Sequence, residues 1–419
     1  MTMLDAVIVG AGQAGLGVSY FLQQKGRKQI VFEQGRIGES WQSQRWDSFK
    51  LNTPNFMNAL PGFQYDGLEP DGFWRPDELV RYFQRYIEHF QLPVRTGVTV
   101  VSVEQSEDDQ HFIVKTQTNG HRQESVTSRS VVIASGSQRT PKYPPARDSL
   151  HDDIAQLHTA DYQSEAALPP GAVVVVGSGQ SGCQITEDLL SAGRTVYLCT
   201  SKVGRIPRRY RGRDILEWWI DTKFLDVTFA SLEDRSISRA PQPQISGIGR
   251  YGHTVSLQYL ARQGAVILGR LMEVEEDTLA LSDDAATNVR FADEFSQRMK
   301  DDIDGYLARA RITPPPIEAD PADMPDPQVG CVSSLRRLNL RQAKVSAVIW
   351  TTGFTADFSW IHLPVLDAEG MLIHQRGILP VRGLYFIGLP WLNSRKSGLI
   401  YGVEGDAHYI AEAISEQLA

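Results

Sequence analysis

Two segments of this chain repeat one demanding pattern: an apolar strand, a loop with glycine at its first, third and sixth positions, and a helix-forming run. The first reads AVIVGAGQAG from residue 6, the second AVVVVGSGQSG from residue 172. Gly10 and Gly177 allow a turn too tight for a side chain. Gly12 and Gly179 let a pyrophosphate approach the backbone, and Gly15 and Gly182 let the helix pack on its strand. Gln13 and Ala14 in the first loop, and Ser178, Gln180 and Ser181 in the second, stand where backbone N–H groups at a helix start face phosphate oxygens.

The strand after each helix separates the two sites. In the first, a strand at 29–32 ends on Glu33, about 20 residues beyond the loop, where a carboxylate accepts the ribose hydroxyls of an adenine dinucleotide. Gln34 is the next residue. In the second, the strand at 195–199 ends on Thr200, Ser201 and Lys202, and then comes GRIPRRYRGR. A carboxylate there would repel a 2′-phosphate, whereas Ser, Lys and Arg bind one. The second site therefore reads as NADPH, with Lys202 chosen by position and Arg208 and Arg209 by charge density. A solvated basic loop is the alternative for the arginines. The first site, lacking a 2′-phosphate pocket, suits FAD.

The expected fold is α/β, with two Rossmann-like dinucleotide-binding domains and the NADPH domain inserted in the FAD domain. Residues 1–165 form the first part of the FAD domain, 166–340 the NADPH domain, and 341–419 the C-terminal part. Residues 94–134 alternate as β hairpins and close on VVIASG. VSAVIWTTGF at 345–354, which carries Thr352 and Gly353, and VRGLYFIG at 381–388 add strands. A polar amphipathic helix over 289–311 precedes TPPPIEADPADMPDPQ, whose prolines forbid helix and favour an extended surface excursion.

Composition narrows the partners. With 42 Lys and Arg against 50 Asp and Glu, the formal net charge is −8, the wrong sign for nucleic acid or an anionic membrane. Three cysteines form no CxxC pair and no metal-ligand spacing, which argues against a disulfide framework, a dithiol mechanism and a metal site. There is no signal-peptide pattern and no apolar run of roughly 18–20 residues, so the expected location is cytoplasmic. Oligomeric state is not readable.

The order GAGQAG, Glu33, ESWQSQRWDSFKLNTP, GFWRPDELVRYFQRY, VVIASG, HTADY, GSGQSG, VIWTTGF and GLYFIGLPW resembles the class B flavin-dependent monooxygenases over nearly the whole chain. The resemblance implies FAD, NADPH, molecular oxygen and a small organic substrate, with oxygen added at flavin C4a as a (hydro)peroxyflavin and one atom inserted into substrate. It implies that Asn52 in LNTP lies by the flavin and supports that adduct. An amide can donate to a peroxide oxygen without surrendering a proton. A turn-capping role ahead of Pro54 stands beside this.

Trp41, Arg45 and Trp46 fall where the family chain runs along the isoalloxazine, with plain core as the alternative for Trp46. Gly402 and Val403 open a C-terminal helix whose start faces the flavin pyrimidine in related flavoproteins. The family fingerprint centred on His158 keeps His158 and Tyr162 but has Asp152 and Ile154 where Phe and Gly are expected. This favours N- or S-oxidation or hydroxylation over Baeyer–Villiger chemistry, and leaves His158 a linker-orienting role. Two other functions fit the same loops: an FAD-dependent NADPH reductase that never oxygenates, and a non-catalytic redox sensor.

Overall fold

The computed structural model describes residues 3–118, 120, 122–249 and 252–418. Each glycine loop lies at the end of a central strand in its own five-stranded parallel sheet. The first sheet runs, in spatial order, Leu384–Phe386, Val131–Ile133, Ala6–Val9, Gln29–Phe32 and Val94–Arg95. The second runs Val266–Leu268, Val196–Cys199, Ala172–Val176, Val345–Trp350 and Ala155–His158. Both central strands are buried along their whole length, the signature of a parallel sheet covered on both faces, which is why they read as unbroken apolar runs.

The expected boundaries at 165/166 and 340/341 shift. Val345–Trp350 pairs with Ala172–Val176, and Ala155–His158 pairs with Val345–Trp350 at the sheet edge. Both were expected in the FAD domain. Their backbone hydrogen bonds lie in the second sheet, so the inserted unit spans about residues 155–350. The apolar VSAVIW run has two faces to bury, and the fold seats it between Ala172–Val176 and Ala155–His158 of the second sheet.

The hairpins form a three-stranded antiparallel sheet of Val98–Gln105, Phe112–Thr118 and Arg122–Ser128. The helix expected over 289–311 is Ala285–Ala310, about one turn longer at its start. Asn288 lies in that added turn and donates from Nδ2 to Thr200 Oγ1 at 3.1 Å, so the helix start is held by the end of a second-sheet strand. The proline-rich run has no helix or strand, as expected, yet it is pinned rather than loose. Arg211 donates to Pro315 O at 2.6 Å, Ser256 to Ala322 O at 2.7 Å, and Asp323 pairs with Arg205 and Lys300.

The two units meet along several contacts. Met57, next to the LNTP segment, packs in an apolar cluster with Trp218, Trp219 and Leu225 of the second unit. Leu399 and Tyr401, just before the C-terminal helix Val403–Gln417, join that cluster. The C-terminal helix also packs on the first loop helix, Gln13–Gln24. A Cβ on Gly17 would sit 2.4 Å from Val403 Cγ1.

Candidate functional site: two glycine loops and their junction

The two loops are nearly superposable in their constraints. Gly10 has φ +107° and Gly177 has φ +112°, a region side chains avoid. A Cβ on Gly15 would lie 2.0 Å from Gly10 O, and one on Gly182 would lie 1.9 Å from Gly177 O. The third residue of each loop is different in kind: a Cβ on Gly12 or Gly179 would meet nothing within 4 Å. Each is an extended N-cap with no side-chain cap, so the first-turn N–H groups of a 12-residue helix are left for an outside acceptor. Space that a methyl group would fill, beside uncapped amides, fits a diphosphate at both loops.

The strand ends then diverge. Glu33 is oriented by backbone amides, with Ala11 N donating to Oε2 at 2.9 Å and Gly35 N to Oε1 at 3.0 Å. Gln34 takes a 2.7 Å bond from Arg139. At the second site Ser178 Oγ ties the loop to the strand end, accepting from Ser201 N at 2.9 Å. Thr200 turns inward to Leu268 O. Lys202 is exposed, with Nζ 4.7 Å from the Phe291 ring centre. Gln180 bonds the segment lying over the loop helix: its Nε2 donates to Ser246 O at 2.5 Å and its Oε1 accepts from Ile245 N at 2.7 Å. Ser181 lies in the first turn of the same helix.

The arginine run is not the open basic patch its density suggested. Arg205 pairs with Asp293 and Asp323, Arg211 with Asp304, and Arg213 with Glu217 and Asp221. Arg208 was expected to read a phosphate. It is 1% exposed, paired with Asp214, and donates from Nη1 to Asn52 O at 2.8 Å. Its guanidinium also stacks 4.4 Å from the Phe73 ring. Burial draws its pKa down, and the Asp214 carboxylate opposes this. Arg208 is therefore a clamp between the units, because a buried guanidinium must find acceptors nearby and these two supply them. Arg209 is exposed and makes a 3.3 Å bond to Gly252 O.

The junction gathers on Asn52. Its Oδ1 accepts from Gln184 Nε2 at 3.3 Å, across from the second loop helix, while its main-chain carbonyl holds Arg208. The turn around it is built by others: Thr53 Oγ1 donates to Asn58 Oδ1 at 2.6 Å, and Asn58 Nδ2 returns a 3.2 Å bond to Thr53 O. The Asn52 side chain is thus free of the turn-capping role. A cavity of about 610 Å³, lined by Lys50, Asn55, Tyr65, Phe73 and Trp74 among others, adjoins this turn.

Arg45 stacks on Trp41 at 4.8 Å and on Phe49 at 5.4 Å, and burial pushes its pKa down to about 10. Trp46 is core: it is buried edge-on to Phe49, with ring centres 5.0 Å apart. Tyr162, near Trp46, donates to Asp188 of the second loop helix at 2.6 Å.

His158 is fully buried, bonded through Nε2 to Gly353 O at 2.9 Å and accepting at Nδ1 from Ala160 N. Those partners put the proton on Nε2, and burial holds the imidazole pKa below its ordinary value. His158, Thr352 and Gly353 thereby fix the crossing between units. Thr352 donates to Lys142 O and Gly353 accepts from Lys142 N. Gly402 and Val403 begin the C-terminal helix against the first loop helix.

Gln184, Asp214 and Ser246 do not stand out in the sequence. The one available signal is the spacing of Gln180 and Gln184, four apart on one helix face, both donating to Ser246 O. Among the described residues no helix is long and apolar enough to cross a membrane, and no group of three or more His, Cys, Asp or Glu could hold a metal.

Comparison with known proteins agrees with this architecture. The chain is 32% identical over 416 residues, 98% of each chain, to an uncharacterized CzcO-like oxidoreductase of Geobacillus kaustophilus. It is 28% identical over 256 residues to the probable indole-3-pyruvate monooxygenase YUCCA3 of Arabidopsis thaliana, covering 59% of this chain and 57% of the relative. Its fold matches a flavin-containing monooxygenase from Stenotrophomonas maltophilia over the full length of both chains, with a TM-score of 0.65 at 18% identity. Residues 7–259 match the pyridine nucleotide-disulphide oxidoreductase family. FAD and NADPH are the cofactors of these two-loop oxidoreductases, and both loops fit a dinucleotide. By that match and the full-length relative, this chain is an oxidoreductase that belongs to the pyridine nucleotide-disulphide oxidoreductase family.

Proposed function

We propose that this protein is an NADPH-dependent FAD monooxygenase that transfers one atom of molecular oxygen to a small organic substrate. The observation that carries the reading is the convergence on Asn52. A residue of the FAD unit is gripped through its side chain by the second loop helix and through its carbonyl by Arg208 of the NADPH unit. Electron transfer between two dinucleotides, followed by oxygen chemistry, calls for a polar group held at the meeting of the two sites. The monooxygenase name of the YUCCA3 relative supports the same reading.

Bound FAD would supply hydride acceptance and oxygen activation. The chain's own residues bind and orient. The Gly10–Gly15 loop, with Gln13 and Ala14, would hold the FAD diphosphate, and Glu33 with Gln34 its adenosine side. Trp41 and Arg45 would wall the ring, and the C-terminal helix would aim its positive end, at Gly402 and Val403, toward it. The loop of Gly177, Ser178, Gly179, Gln180, Ser181 and Gly182 would hold NADPH, with Ser201, Lys202 and Arg209 on the 2′-phosphate. Asn52 would donate a hydrogen bond at the reacting face and keep its proton.

Disulfide reduction draws no support from the cysteines. Burial pushes the Cys183 thiol up and the Cys199 thiol up to about 12, and burial beside Asp326 raises Cys331 to about 12, so none is poised as a thiolate. With half of the His158 fingerprint absent, N- or S-oxidation or hydroxylation is the preferred reaction.

The test supplies NADPH and ¹⁸O₂ with a panel of amines, sulfides and activated aromatic compounds. One ¹⁸O atom appears in product, and peroxide released per NADPH falls well below one. Asn52→Ala leaves anaerobic flavin reduction nearly intact and diverts oxygen to peroxide. One peroxide per NADPH with every compound, unchanged by Asn52→Ala, would make the protein a reductase.

A further inference from the structure

We propose that Gln184 is a positioning residue that sets which end of the Asn52 amide faces the reaction. The inference rests on the proposed role of Asn52. Gln184 is 2% exposed in the middle of the second loop helix. Its Nε2 lies 3.1 Å from Ser246 O and 3.3 Å from Asn52 Oδ1. A backbone carbonyl can only accept, so Ser246 O forces Gln184 to turn its NH₂ group toward it. That group has two hydrogens. One serves Ser246, and the second is left for Asn52, which must then present its oxygen.

Asn52 therefore has its own NH₂ group on the opposite side of the amide, where no protein acceptor bonds it among the described residues. The polarity of the amide is thus decided by a carbonyl two links away, in the segment that Gln180 also holds. Arg208, anchored by Asp214, fixes the Asn52 main chain at the same time. A carboxylate cannot replace Gln184, because both of its partners at Nε2 are acceptors. A glutamate there has no hydrogen for either partner when ionised, and it draws the Asn52 NH₂ toward itself, so that an oxygen is presented instead.

The experiment uses the FAD-loaded full chain and the variants Gln184→Met, Gln184→Glu, Asn52→Ala and Asn52→Ala/Gln184→Met. Four quantities are read: peroxide released per NADPH oxidised, the anaerobic rate of flavin reduction, the absorption spectrum of the oxidised bound flavin, and the dissociation constant for NADP⁺ from titration of that spectrum. Both Gln184 variants raise peroxide release several-fold toward the Asn52→Ala level. Reduction rate and the dissociation constant for NADP⁺ stay within about twofold of the parent. The double variant is no worse than Asn52→Ala alone, because Gln184 acts through Asn52. The flavin band moves in Gln184→Glu as it does in Asn52→Ala.

Two results overturn the proposal: parent-like coupling and spectrum in both Gln184 variants while Asn52→Ala uncouples, or losses that simply add in the double variant. If Asn52→Ala itself leaves coupling unchanged, the assigned role of Asn52 fails. The spectral comparison then judges the Gln184–Asn52 link on its own. If Gln184→Met does not fold, Gln184→Glu carries the same comparison.

Discussion

The two glycine loops share a backbone and differ in what stands around it. Their first glycines have φ values of +107° and +112°, their sixth glycines sit equally hard against the first carbonyl, and their third glycines open on equal space. Around the first, a carboxylate is held by one amide of the loop, Ala11 N, and by Gly35 N just past the strand end. Around the second, a serine closes the strand end, a lysine stays exposed, and a segment carrying Ser246 lies over the helix. The loop itself is a general device for a diphosphate. Which dinucleotide it takes, and what the site is coupled to, is written in side chains outside it.

The largest effects separate the sixth glycine from the third. Gly15→Val or Gly182→Val drives a side chain into a backbone carbonyl, so loss of soluble folded protein is expected by expression and thermal unfolding. Gly12→Ala and Gly179→Ala should fold, because the added methyl meets nothing. Gly12→Ala is expected to come out flavin-depleted, read as the ratio of flavin to protein. Gly179→Ala keeps FAD and raises the KM for NADPH more than tenfold, about 1.4 kcal/mol. An alanine at Gly12 that retains full flavin would break the equivalence of the loops.

Next in size is Arg208→Ala. Removing one partner of a buried pair leaves Asp214 uncompensated and costs about 3–5 kcal/mol. Denaturant unfolding measures it, and the preference for NADPH over NADH should stay as it was. A large loss of that preference at parent stability would return Arg208 to the phosphate site. Lys202→Ala is expected to do the reverse. Stability holds and NADPH preference falls about tenfold in kcat/KM, as loss of one charge-assisted contact implies.

The smallest effect is a pH dependence that separates the second loop helix from the crossing between the units. The hydrogen bond that His253 Nε2 donates to the Glu187 carboxylate, on that helix, raises the His253 pKa. Its stabilisation is fully present below the unfolded-state value, about 6.5, and is lost as pH rises through the folded value. Burial lowers the His158 pKa. Its contribution is present above about 6.5 and is lost as pH falls through the folded value. Unfolding curves for His253→Gln should therefore converge on the parent at alkaline pH, and those for His158→Gln at acid pH. The opposite convergence would show that the hydrogen-bond partners are misassigned.

Much of the local structure could be read from the sequence. The strands Ala6–Val9, Gln29–Phe32 and Ala172–Val176 and the helix Gln13–Gln24 fall where glycine spacing and apolar runs put them. These signals are short-range: a glycine forced by backbone geometry and a strand buried on both faces leave their mark residue by residue. The failures are long-range. The VSAVIW run points to the wrong sheet because its apolar residues would satisfy either one. Arg208 points to a phosphate because charge density along a chain does not reveal which acids fold back onto it. Asp214, six residues on, is a near neighbour, but Asn52 is brought from 156 residues away.

The sequence by itself determined that two glycine loops of one backbone form exist and that their strand ends differ in charge, because both follow from local steric and electrostatic rules. Only the tertiary structure decided which charges remain available and how Asn52 is oriented. Burial forces each arginine and amide to find a partner, and the partner is whatever the fold brings within about 3 Å.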